Sequence, residues 1–251
     1  MFAFQVCGYS KSGKTTVVKN LISLLHETGN KVASIKDIHY EDFQMDSEGK
    51  NTFIHAQSGA NPVVARGLHE TDFLYNYQMD FLQIVSKISA DWLVVEGYNS
   101  FPLPKIVCGK NDKEVDEFID GRTFAIAGVL ANDKKEYQGK RVFNPLEKGD
   151  MAALLTKVRG MVFPLLPYVN DECCGLCGLT CSQMVEAIIR GEKRYEDCVI
   201  RKKTIHLRIN GKDLPLVSFV QNILRNTVHG VASELKGYEK GKKIEIVIDA
   251  E

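Results

Sequence analysis

The chain has 251 residues, room for one large domain or two modest ones, and its 32 basic and 32 acidic side chains give a formal net charge of zero. That balance gives no sign of the electrostatic grip that nucleic-acid binding demands, and no apolar run reaches the length of about eighteen residues needed to cross a membrane. The opening Met1-Phe2-Ala3-Phe4-Gln5-Val6-Cys7 carries no basic region and no signal-peptide cleavage site, so it reads as a strand and the expected compartment is the cytoplasm.

In chain order, residues 2–7 read as a buried strand that runs into Gly8-Tyr9-Ser10-Lys11-Ser12-Gly13-Lys14-Thr15. Residues 14–26 carry Val17, Val18, Leu21, Leu24 and Leu25 at helical spacing, Gly29 ends that helix, and residues 31–36 read as a second strand. Residues 40–60 are polar and read as a long functional loop or a short helix, and residues 61–66 as a short strand. Helical spacing recurs over residues 77–89, and Asp91-Trp92-Leu93-Val94-Val95 is the unbroken apolar run of a strand inside a parallel sheet, ending at Glu96-Gly97. Residues 105–108 and 123–131 read as further strands, and residues 151–166 as a helix stopped at Pro164 and Pro167. Near Val169 the composition changes. A helix over residues 182–190, a strand over 203–209 with the turn Asn210-Gly211, a long amphipathic helix over 215–235 and a last strand over 244–248 are expected there. The fold class is α/β: a P-loop NTPase with a doubly wound, mostly parallel sheet over residues 1–168, and a small α+β domain over residues 169–251.

The pattern G-x-x-x-x-G-K-[ST], matched by Gly8, Gly13, Lys14 and Thr15, carries the chemistry. Backbone N–H groups turned around an anion need glycine torsions, a lysine adds fixed charge at the β- and γ-phosphates, and a hydroxyl reaches Mg²⁺. The expected phosphate cradle runs from Gly8 through Tyr9, Ser10, Lys11, Ser12, Gly13 and Lys14 to Thr15. Tyr9 directly after the first glycine makes this the ordinary form of the loop, without a second signature lysine. The Mg²⁺ shell needs an acidic group from a neighbouring strand end; Glu96 and Asp37 are the candidates, with Thr15 and Glu96 as the metal pair and Lys14 and Asp37 as the catalytic one. His39 reads as ordinary surface.

Three segments together resemble a known family. They are the P-loop; Ile35-Lys36-Asp37-Ile38-His39 with Asp46-Ser47-Glu48-Gly49-Lys50-Asn51-Thr52 and Ala56-Gln57-Ser58-Gly59-Ala60; and Val94-Val95-Glu96-Gly97-Tyr98 with Pro104-Lys105-Ile106. The chain is similar over roughly residues 1–165 to the molybdopterin-guanine dinucleotide biosynthesis adapters, the MobB family. The resemblance implies a homodimer that binds GTP with Mg²⁺ and is at most a weak GTPase. It implies assistance to the MobA-type guanylyltransferase that attaches GMP to molybdopterin, with molybdoenzymes as further partners. It places Gly8 to Thr16, Thr16 included, on the phosphates, Glu96 near the Mg²⁺, and Asp46, Gly49, Lys50 and Thr52 in a nucleotide-facing loop. Asp37 and Tyr40 stand where the family commonly has histidines, and Asn51 where an aspartate is common. Asp133, after an apolar strand, is either an acceptor for guanine N–H groups or a loop cap. The alternatives from other classes are a small-molecule or nucleoside kinase, which would need lid arginines absent here, and a metallochaperone GTPase, which would need His-rich tracts.

Of the seven cysteines, Cys173, Cys174, Cys177, Cys181 and Cys198 crowd one segment. Cys174, Cys177, Cys181 and Cys198 are spaced C-x2-C-x3-C-x16-C, with no histidine near and a single CxxC knuckle. That spacing suits a [4Fe–4S] cluster better than Zn²⁺, the alternative, and resembles the small iron–sulfur domains of corrinoid-protein and electron-transport subunits, which usually have four residues before the third cysteine. Plain thiols or a disulfide remain the third reading.

Overall fold

The computed structural model describes residues 1–40, 42–97, 101–166, 177–198, 205, 207–209, 212–214, 216, 218–239 and 244–247. It divides into two units, Met1–Leu166 with Cys181–Tyr195, and the described residues of 167–180 with 196–251.

The first unit is built on a seven-stranded sheet. Its strands are β1 (Phe2–Cys7), β2 (Val32–Lys36), β5 (Trp92–Glu96), β6 (Lys105–Cys108), β7 (Thr123–Ala127), β8 (Glu136–Tyr137) and β9 (Lys140–Phe143), in the order β2-β5-β1-β6-β7-β9-β8. All neighbours run parallel except the terminal pair β8–β9. β1 lies inside the sheet between β5 and β6, and β5 and β7 are buried along their whole length, as their unbroken apolar sequences require. One face carries Phe4, Val6 and Val94 against Val17, Leu21 and Leu25 of helix α1 (Lys14–Glu27), with Leu154 and Val158 of helix α5 (Lys148–Met161). The opposite face carries Ala3, Leu93 and Val95 beneath Phe101, Leu103 and the short helix α3 (Phe81–Ser86), and Cys7, Val107 and Ile126 beneath Val115 of α4 (Asp112–Asp116). Helices on both faces of a parallel sheet define the doubly wound class expected from the sequence.

Several elements differ from their expected bounds. The polar stretch before Asn61 holds α2 (Asn51–Gln57), and the expected short strand β3 (Val63–Arg66) has an antiparallel partner, β4 (Thr71–Leu74), in a separate two-stranded sheet. Helix α3 is shorter than its apolar pattern because Asp80 caps it: its carboxylate accepts the Leu82 N–H, and the Gln83 side chain accepts the Asp80 N–H. The strand expected to reach Ala131 stops at Ala127, where Gly128 turns the chain into a 3₁₀ turn, Val129–Asn132. Helix α5 ends at Met161, ahead of Pro164, and Leu165 donates its N–H to the carbonyl of Met1. The hairpin β8–β9 turns at Gln138-Gly139, both at positive φ, in a stretch too polar to carry a strand pattern.

Helix α6 (Cys181–Ile189) belongs to the first unit, although a boundary near residue 168 assigns it to the second. Met184, Val185 and Ala187 are buried, and the ring of Tyr195 lies 5.7 Å from that of Phe163. An apolar helical stripe packs wherever the chain can deliver it, and spacing alone does not say which core receives it. The second unit contains the hairpin β10 (Leu207–Ile209) with β11 (Lys212–Leu214) and helix α7 (Ser218–Ser233). The expected turn Asn210-Gly211 and residue 248 lie outside the described residues, and residues 244–247 form no strand.

Lys105 is a charged residue in the interior of the sheet, with a side chain 1% exposed. Its ammonium donates to the Phe118 carbonyl at 2.5 Å and to Asp120 Oδ2 at 2.7 Å, and Arg122 grips the same carboxylate through Nη2 at 2.7 Å and Nε at 3.1 Å. Burial pushes the Asp120 carboxyl up, but the hydrogen bonds from Arg122 and Lys105 outweigh it and hold the group below the usual carboxylate range. Asp120→Asn leaves the Lys105 charge buried without a counter-ion and is expected to lower stability by about 2–4 kcal/mol in denaturant titrations at neutral pH, moderated by the partial exposure of Asp120. Because the folded value is depressed, this contribution is complete above the ordinary carboxylate range and is lost as pH falls through the folded value; the gap between wild type and Asp120→Asn narrows in that acid window.

Candidate nucleotide-phosphate site

At the carboxyl edge of the sheet, β1 gives way to the loop Gly8–Gly13. Gly8 has φ 139°, and a Cβ there would lie 2.0 Å from the carbonyl oxygen of Cys108 at the end of β6. The loop therefore passes directly against the neighbouring strand, and only glycine fits. Gly128 supports the loop's far side: Val129 donates its N–H to the carbonyl of Ser12 at 3.1 Å, and a Cβ on Gly128 would lie 2.2 Å from that oxygen. Gly13 then leads into α1, whose first turn faces the loop.

Within this frame the Lys14 ammonium donates to the Tyr9 carbonyl at 2.6 Å, folding across the loop. The Ser12 hydroxyl is fully buried and has no hydrogen-bond partner among the described residues. A buried, unsatisfied hydroxyl is a costly feature unless a ligand satisfies it, and here it stands beside a lysine and a helix N-terminus. Thr15 Oγ1 donates to Glu96 Oε1 at 2.8 Å, which joins the two residues expected to form a metal pair. The side chain of Glu96 is 11% exposed, and Lys36 Nζ lies 3.8 Å from the same oxygen. Hard oxygen donors of this kind fit Mg²⁺.

The remaining expected residues are placed as follows. Asp37 continues the ladder, donating its N–H to the Glu96 carbonyl at 2.9 Å, while its carboxylate lies 3.4 Å from His39 Nε2. Strand alternation accounts for the split, since successive side chains point to opposite faces. The Tyr9 hydroxyl donates to Glu117, and its ring meets Phe118 edge-on at 5.1 Å. Ser10, Lys11 and Thr16 belong to the loop and first helical turn, with Lys11 at φ 60°. Asp46, Gly49, Lys50 and Thr52 occupy the approach to α2, where the hydrogen bonds are local: Ser47 N–H to Asp46, and Lys50 N–H to the Ser47 carbonyl. No hydrogen bond or ion pair among the described residues ties them to the P-loop. Asp133 closes the 3₁₀ turn, donating its N–H to Leu130, and Lys134 pairs with Asp112. Sequence reasoning missed Lys36 and Gly128; the lysine carries no spacing signal, and the glycine was hidden in an apparently continuous apolar strand.

Cys7 and Cys108 are sheet residues, and burial pushes the Cys7 thiol up to about 11 and that of Cys108 further still, so both are neutral packing groups. Cys177 and Cys181 are half-buried and Cys198 is buried, and Cys174 lies outside the described residues. Among the described residues no group of three or more His, Cys, Asp or Glu side chains converges to hold a metal ion. The described thiols alone therefore do not make a cluster cradle.

The fold and this loop define a P-loop protein of the doubly wound α/β class. Residues 3–131 match the family model for "Molybdopterin guanine dinucleotide synthesis protein B", and residues 172–200 match one described as "Putative Fe-S cluster". A Methanocaldococcus jannaschii protein described as "Putative molybdopterin-guanine dinucleotide biosynthesis adapter protein" is 31% identical over 251 residues, 97% of this chain and 96% of its own length. The Haemophilus influenzae molybdopterin-guanine dinucleotide biosynthesis adapter protein is 31% identical over 124 residues, 45% of this chain and 69% of its own. The crystal structure of Bacillus subtilis MobB shares the fold with a TM-score of 0.54 at 22% identity, covering 67% of this chain and all of that one. The chain belongs to the MobB family of molybdopterin-guanine dinucleotide biosynthesis adapter proteins.

Gly128 tests how the loop is supported. Gly128→Ala is expected to dislodge Ser12 and to cost well over the roughly 1–2 kcal/mol of ordinary left-handed strain, because φ 104° with ψ −155° adds its own backbone cost to the clash. Gly139→Ala, at φ 69° with nothing within 4 Å of its added Cβ, measures the ordinary left-handed strain by itself. Thermal melts of the two variants make the comparison.

Proposed function

We propose that this MobB-family adapter binds GTP with Mg²⁺ at the Gly8–Thr16 loop, hydrolyses it weakly at most, and serves a MobA-type guanylyltransferase, with molybdoenzymes as downstream partners and a homodimer as the working form. The observation that carries this reading is the buried Ser12 hydroxyl without a partner among the described residues, beside Lys14 and the start of α1. Main-chain amides from Gly8 to Thr16 would hold the phosphates, and Lys14 would leave the Tyr9 carbonyl for the β- and γ-oxygens. Thr15 and Glu96 would hold the Mg²⁺, which supplies charge neutralisation at the phosphate oxygens. Asp46, Gly49, Lys50 and Thr52 would close over the nucleotide from the approach to α2. Asp37, next to His39 and hydrogen-bonded through its N–H to the Glu96 carbonyl, is the candidate to orient a water.

For the cysteine segment, the family model over residues 172–200 and the spacing support a cluster held by Cys174, Cys177, Cys181 and Cys198. A bound [4Fe–4S] group would supply one-electron chemistry, and Zn²⁺ would supply only a structural tie.

Calorimetry with GTP and ATP in Mg²⁺ tests the first site: GTP is expected to bind more tightly, and Lys14→Ala to weaken it roughly a hundredfold. Preferential ATP binding with phosphorylation of a small acceptor would overturn the adapter reading. Anaerobic purification followed by iron, sulfide and zinc analysis is expected to give iron and sulfide in about equal amounts; zinc without sulfide would overturn the cluster assignment.

A further inference from the structure

Lys36 ends the edge strand β2 in register with Glu96, which in turn is in register with Val6 one residue before the end of β1. Paired residues of a parallel ladder share a face, and Val6 and Val94 place that face on the side of α1. The Lys36 side chain thus rises beside the first turn of α1, where Thr15 and Glu96 meet. Its side chain is 63% exposed, and the ammonium lies 3.8 Å from Glu96 Oε1, the oxygen that also accepts the Thr15 hydroxyl. An exposed lysine on a surface carboxylate would be an ordinary ion pair of little consequence. This carboxylate is different, because it is nearly buried and sits at the mouth of a phosphate loop.

Resting on the nucleotide reading above, we propose that Lys36 is the residue that distinguishes a nucleoside triphosphate from a diphosphate at this site. Glu96 cannot serve an ammonium and a divalent ion equally well at one oxygen, since the two cations repel. When the carboxylate turns to the metal, the ammonium is released on a flexible four-carbon stem toward the added negative charge beyond the Lys14 subsite, the terminal phosphate. Lys36 is therefore a binding and positioning residue with two anionic partners, Glu96 and the γ-phosphate, and it exchanges one for the other as the metal and triphosphate arrive. No bond is made or broken in this exchange. A diphosphate brings the metal without the second partner, so it gains nothing from Lys36.

The test uses the full chain and its Lys36→Met and Lys36→Arg variants, with GTP and GDP titrated in Mg²⁺ by calorimetry. A non-hydrolysable triphosphate guards against turnover. Lys36→Met is expected to weaken the triphosphate about tenfold and the diphosphate by less than about twofold, with Lys36→Arg retaining most of the preference. Lys31→Met, before the start of the same strand, controls for general loss of positive charge and is expected to leave the ratio unchanged. A second readout needs no nucleotide: Mn²⁺ binding followed by electron paramagnetic resonance is expected to tighten in Lys36→Met, because the competing ammonium is gone. An unchanged triphosphate-to-diphosphate ratio in a folded Lys36→Met protein overturns the assignment. Should the wild-type chain bind neither nucleotide, the phosphate-site reading itself fails. The Mn²⁺ titration then decides whether Lys36 guards the Glu96 oxygen, and an unchanged Mn²⁺ affinity removes that role too.

Discussion

The contact on which the site depends is backbone against backbone: Gly8 passes so close to the carbonyl of Cys108 that a single added carbon would lie 2.0 Å from its oxygen. Gly128 repeats the constraint from the other side against Ser12, at 2.2 Å. Between these two approaches the loop backbone has little room to relax, so its N–H groups and Ser12 are held in place before any ligand arrives. Preorganisation of this kind reduces the entropy lost on binding and explains why the loop's geometry is decided by the ends of β6 and β7.

The same sheet accommodates a full positive charge in its interior. Lys105 would be intolerable there alone, yet Asp120, Arg122 and the Phe118 carbonyl complete its hydrogen bonds. Such a cluster contributes little net stability compared with apolar packing, but it has few alternative arrangements. It ties the start of β6 to the segment that leads into β7; β6 ends at Cys108, whose carbonyl meets Gly8, and β7 is followed by Gly128.

Much of the first unit was legible from residues 2–36 and 91–97, because buried parallel strands are written as unbroken apolar runs and the P-loop demands glycines at set positions. Thr15 and Glu96 were legible as a pair, since strand ends adjacent to β1 share one edge. Asp37 was not separable from Glu96 by sequence, because the alternation of the pleat decides which of two neighbouring side chains faces α1. The polar hairpin β8–β9 escaped notice for want of a hydrophobic alternation, and α3 was over-extended because Asp80 and Gln83 were not recognised as a capping box.

The sequence by itself determined the class of protein, the identity of the phosphate loop and the cysteine spacing, since each rests on residues close in the chain whose chemistry does not depend on distant partners. Only the tertiary structure decided that Lys36 shares an oxygen with Thr15, that Gly128 supports Ser12, and that the helix after Cys181 packs with the first unit. Those facts depend on strand register and on which apolar surface receives a helix. Both are settled by packing among segments tens of residues apart, and no local pattern records them.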